Sequence, residues 1–186
     1  IVLFHMTAVQ SDVLTSLTLS LFIAILQMSM CLDRIFHDPL QSGVLHQWLI
    51  YHNLDEYFIL TRITAFWITY ILPLQVIVLL QCVIISPLSI VGYLCLTSFI
   101  FSVSICFLFA LLSSLMLANG YSTALAIILC LPFCMPILLL CLLVITALLT
   151  YLPMAWLIGV QALLMILLAC LVPVVIRQVL RLTWVT

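Results

Sequence analysis

Apolar residues run along this chain in blocks of about 20, the length at which a helix crosses the hydrocarbon of a bilayer. Within a block the pattern neither alternates at period two, as a strand would, nor marks out a single helical face. Charges, prolines and polar clusters punctuate the blocks. They predict five spans, at about 14–32, 62–82, 92–117, 122–146 and 153–176. Ser86-Pro87 separates the second from the third, and Ala118-Asn119-Gly120 closes the third with a strong turn signal. Arg177 is expected to end the fifth. Before the first span, "IVLFHMTAVQ" is apolar but too short to span, and reads as the last part of an earlier apolar segment.

Composition sharpens this picture. The chain is 68% hydrophobic and 5% charged, with no lysine, whereas a soluble domain carries roughly a quarter charged residues. Nine charges cannot cover the surface of 186 residues in water. Lipid is therefore the main solvent, and every backbone polar group in the spans must be paired internally. Long unbroken runs favour helices over barrel strands. The sequence specifies an all-α membrane protein, a polytopic bundle of about five transmembrane helices in one domain covering residues 1–186.

The four arginines orient it. Arg34 and Arg62 flank the connection after the first span, and two further spans lead to the Asn119-Gly120 turn on that side. Two more lead to Arg177 and Arg181. All four thus fall on one face, the face of insertion under the positive-inside rule.

The remaining polarity is concentrated in residues 33–61. Asp33 to Arg62 holds six of the nine charges and three of the four histidines. Asp38 suits an N-cap, Pro39 the first helical position, and Gln41 the third position after the cap. Phe36, Leu40, Val44 and Trp48 recur every four residues, with Gln41, Ser42, His46 and Gln47 largely opposite. This predicts an amphipathic helix of about 12 residues, roughly 18 Å long, lying at the interface. Asn53 and Glu56 repeat the capping pattern before the second span. The loop is either a plain surface connection or a docking surface through which a partner moves both attached spans; pattern alone supports both.

"LDRIFHDPLQSGVLHQW", followed by "TRITAFWITYILPL", resembles the permease family CcmB of the cytochrome c maturation system. The matching positions are Asp33, Arg34, Phe36, Asp38, Leu40, Gln41, Gly43, Leu45, Gln47 and Trp67. Farther on, "CLPFCMPILLL" resembles the family's late Leu-Pro-x-x-x-Pro-Leu stretch through Pro132 and Pro136. The similarity covers roughly 14–176, densely in the loop and thinly elsewhere. Pro39 stands where the family usually has a second acid, His46 where an acid is common, and the family has six spans. The resemblance implies a permease of the ABC-exporter class. Asp33, Arg34, Asp38, Gln41, Gly43 and Gln47 would then form a coupling loop docked to a separate ATP-binding subunit. A haem-handling membrane protein would be the other partner, with haem as the possible transported ligand.

The remaining chemistry is sparse. A phosphate-cradling loop needs glycines and a lysine, so ATP would be hydrolysed only on the partner, and the chain itself is not an enzyme. His46 and His52 are six apart, and His37 and His5 lie elsewhere, so no pair suits axial haem ligation between facing spans. Eight scattered cysteines include no Cys-x-x-Cys pair and read as small hydrophobes, with no metal expected. Pro132 and Pro136 fall within the fourth span, as a hinge or as ordinary kinks. Ser113, Ser114 and Asn119 line a polar path or bond neighbouring backbone. Without a charge deep in any span, an ion-driven pump is disfavoured.

Two functions remain in view. One is the permease subunit of an exporter in cytochrome c biogenesis. Its hydrophobicity and cysteine content suggest an organelle-encoded chain of the mitochondrial inner membrane, with a bacterial plasma membrane as the other setting. The rival is a non-catalytic anchor or scaffold of a mitochondrial respiratory complex, which accounts for the composition and not for the ordered loop motif.

Overall fold

A computed structural model describes residues 2–32, 34–37, 42–43, 56–85, 88–119, 123–150 and 155–185. Its elements are helices: α1 (Val2–Met30), α2 (Glu56–Phe66), a π-helical segment (Trp67–Ile71), α3 (Leu72–Ile85), α4 (Leu88–Asn119), α5 (Thr123–Leu149) and α6 (Ala155–Val185). The segments from Glu56 to Ile85 form one continuous rod, so the described helices make five rods, as the hydrophobic blocks predict. Four contain stretches long and apolar enough to cross a membrane, and α1 contributes the shorter apolar stretch Leu14–Met30. The protein is an all-α, membrane-embedded bundle.

Two boundaries move. The amino-terminal run is continuous with the first span, because α1 begins at Val2. The last helix passes through Arg177 and Arg181 to Val185. Arginine is a good helix former whose long stem reaches the interface, so its charge marks the edge of the hydrocarbon and not the end of the helix. The unbroken 12-residue loop helix is also corrected. The chain turns at Ser42–Gly43, with Gly43 at φ 74°, a left-handed conformation that no α-helix interior accommodates. The rest of that predicted helix lies outside the described residues. Gly43→Ala should strain this turn by about 1 kcal/mol, seen as a lower thermal midpoint of the full chain in detergent; an unchanged midpoint would show that the turn adapts.

α4 is the axis. In its most apolar stretch 67% of residues are buried, against 17% in α6. It packs most extensively on α6 and α5, then on α3. Apolar attraction cannot hold helices together in lipid, so packing and interhelical hydrogen bonds do so. Accordingly α4 buries not only Leu94, Phe101, Ile105 and Phe109 but also Thr97, Ser98, Ser102, Ser104, Ser113 and Ser114. Small hydroxyl side chains permit close helix approach and satisfy themselves on their own helix: Ser98 Oγ donates to Cys95 O, Ser102 Oγ to Phe99 O, and Ser114 Oγ to Leu111 O.

Pro132 and Pro136 stand within α5, which remains α-helical through both, and both face outward. The irregularity expected of them occurs instead in the second rod, at Trp67–Ile71. Pro73 explains it. The Thr69 carbonyl would accept from the amide of residue 73, which proline lacks, and the proline ring crowds that carbonyl. The helix widens instead, and the Leu72 amide bonds to Trp67 O, five residues back.

Candidate functional site at the loop-facing end

The end of α1 is where the charged loop meets the bundle. After Met30 the chain stays tightly coiled: Cys31 N–H donates to Met28 O at 3.0 Å and Arg34 N–H to Cys31 O at 3.1 Å. Residues 34–37 make one helical turn. Ile35 and Phe36 point inward, at 2% and 0% exposure, while Arg34 and His37 face outward. Ile35 and Phe36 belong to the bundle's hydrophobic core, which also includes Leu32, Phe58, Ile59 and Ile63. Ser113 Oγ on α4 donates at 3.0 Å to Leu32 O in the turn after α1, a carbonyl that also accepts the Ile35 N–H at 3.4 Å.

Arg34 then reaches the π-helical segment. Its Nη1 donates to the Tyr70 hydroxyl at 3.2 Å, and its guanidinium carbon lies 5.7 Å from the Tyr70 ring centroid. Both contacts are within the range in which arginine and an aromatic ring attract. Tyr70 rests on Phe66, with ring centroids 4.9 Å apart. Trp67 turns to the other side, where its Nε1 donates to Ser102 Oγ at 3.3 Å and its ring meets Phe99 edge-on at 5.4 Å. The wider π turn separates the two directions, Tyr70 toward the loop and Trp67 toward α4. One turn before it, Cys106 Sγ contacts Ile63 O at 3.7 Å.

Deeper in the bundle a polar belt crosses three helices. Gln75 Nε2 on α3 donates to Ser98 Oγ at 3.1 Å, and Gln161 Nε2 on α6 donates to Thr97 O at 3.2 Å. Both glutamines are buried, Gln161 to 1% exposure. Such bonds contribute about 0.6 kcal/mol each in membrane proteins, so they set helix register more than stability.

The structure thus joins Arg34, through Tyr70, to the π-helical segment that carries Trp67, whose own side chain turns to α4. Gly43 lies in the turn at Ser42–Gly43. Asp33, Asp38, Gln41 and Gln47 lie outside the described residues. Tyr70 and Ser102 were not legible as functional positions; the signal that leads to them is Pro73, which forces the wide turn. Ser113 bonds across to α1, whereas Ser114 stays on its own helix, so the two adjacent serines play different roles. Among the described residues no three His, Cys, Asp or Glu side chains converge as a metal site.

No family model, curated protein or solved structure matches the chain.

Proposed function

We propose that this chain is the membrane permease subunit of an ABC-type exporter complex in cytochrome c biogenesis, the class that its loop motif resembles. It couples ATP hydrolysis on a separate ATP-binding subunit to transfer or release of haem at a haem-handling membrane partner. Its proposed setting is the mitochondrial inner membrane. The observation that supports this reading is the junction of Arg34 with Tyr70. A docking loop is useful only if its displacement reaches the spans. Here the first loop residues hold the one non-α turn of the second rod, and Trp67 on that turn holds α4.

The test is isolation of the native complex in mild detergent, with mass spectrometry of what remains attached. A soluble ATPase should be recovered with the unaltered chain and lost with Gln41→Arg and Gln47→Arg. Recovery of respiratory-complex subunits without an ATPase would instead support the anchor reading.

A further inference from the structure

α5 presents a face that the rest of the bundle leaves uncovered. Its buried side chains, among them Cys134, Ile137, Cys141 and Val144, pack into the core. Ile128, Pro132 and Pro136 recur every four residues on the other side and are exposed, with Met135 and Leu139 beside them. The helix has 27 residues, Thr123–Leu149, and is about 40 Å long. Pro136 is its midpoint, and from Ala124 to Ile145 it carries no hydroxyl, amide or charged side chain. The proline face therefore lies within the hydrocarbon.

Two backbone carbonyls open on that face. Proline has no amide hydrogen, so residue 132 cannot donate to Ile128 O, nor residue 136 to Pro132 O. In the second rod the same loss at Pro73 is met by the wide turn at Trp67–Ile71. α5 stays α-helical through both prolines, so that remedy is not used here. The described hydroxyls nearest along the chain act farther on, where Thr146 Oγ1 donates to Leu143 O and Thr150 Oγ1 to Thr146 O. A carbonyl left facing hydrocarbon is costly, and a neighbouring helix that donates to it removes the cost.

The carbonyls select their occupant. Acyl chains have no donor to give, and headgroups do not reach this depth. A second copy meeting this chain through the same face would set acceptor against acceptor, because Ile, Leu, Met and Pro side chains supply no N–H or O–H. The outward threonines of the second rod, Thr61, Thr64 and Thr69, already donate to carbonyls of their own helix, so that face of a copy does not match either. We propose that the proline face of α5 docks a membrane-spanning helix of another protein, one that presents two donating side chains (serine, threonine, asparagine or glutamine) four residues apart. That spacing matches Ile128 O and Pro132 O, one turn apart at about 6 Å. The face serves a permease and an anchor alike, since either works within a membrane assembly.

The experiment places a diazirine crosslinking residue at position 135 of the full chain in its native membrane and identifies the crosslinked peptide by mass spectrometry. That peptide should come from a transmembrane segment of a different protein with donors at four-residue spacing. Pro132→Ala and Pro136→Ala restore the two amide hydrogens, so each carbonyl regains a donor within α5. The double variant should raise the thermal midpoint of the isolated chain in detergent. It should also move the dilution midpoint at which the partner dissociates to a concentration about eightfold higher, about threefold for each hydrogen bond lost. A purely structural role for the prolines would move stability and association in the same direction, and that result would overturn the proposal. So would an unchanged dissociation midpoint, or adducts only with lipid, with a second copy of this chain, or with a segment that lacks such donors.

Discussion

Phe36→Ala should destabilise the bundle by about 3–5 kcal/mol, the range for removing a fully buried aromatic ring. Phe36 is 0% exposed and belongs to the cluster with Leu32, Ile35, Phe58, Ile59 and Ile63. Phe36 is where the chain following α1 enters the hydrophobic core, so its truncation loosens that entry as well as lowering stability. Volume, not aromaticity, carries the effect. Phe36→Leu should therefore cost much less, about 1.5 kcal/mol or under. Thermal unfolding of the full chain in detergent reads both substitutions. If the alanine variant melts with the unaltered chain, the cluster collapses around the missing ring and does not anchor the loop.

On the proposed permease function, Arg34→Ala is expected to lower ATP-driven turnover of the assembled complex about tenfold, a coupling loss within the usual allosteric range. Basal ATP hydrolysis should persist, because Arg34 touches the spans and not the nucleotide. Tyr70→Phe should give a smaller loss, since it removes the hydroxyl acceptor and leaves the ring for the guanidinium. Lysine should not replace Arg34 fully, as its compact ammonium cannot bond the hydroxyl and lie against the ring with the same geometry. The decisive comparison is a double-mutant cycle. If Arg34→Ala and Tyr70→Ala act through one contact, their combination costs little more than either alone; additive losses would show that motion travels by another route.

Ser102 offers a quieter check of the same route. It receives the Trp67 indole N–H and returns its own proton to Phe99 O. It therefore joins the wide turn to α4 without leaving a polar atom unpaired at that point. The polar side chains of α4 also explain why the number of each partner on the second rod rises as the number on α4 falls: Cys106 with Ile63, Ser102 with Trp67, Ser98 with Gln75. These pairs record two helices running antiparallel in a fixed register.

The apolar blocks by themselves determined the helical, membrane-embedded class and the five rods, because a bilayer demands about 20 apolar residues per crossing and internally paired backbone. The four arginines, placed by even numbers of crossings, determined which ends share a face. Arg34, Phe36 and Trp67 were visible in the sequence only as separate motif positions. Which of them meet, and by what intermediary, was decided by tertiary structure. Tyr70 is unremarkable along the chain until Pro73 denies Thr69 its amide and the turn widens. Gly43 was assigned to a helix by periodicity, which records side-chain spacing but not the sign of φ. The polar belt was wholly a tertiary matter, since Gln75, Thr97, Ser98 and Gln161 share no local pattern. Hydropathy measures how each residue prefers its solvent; the hydrogen bond that a buried glutamine makes depends on what the neighbouring helix places beside it.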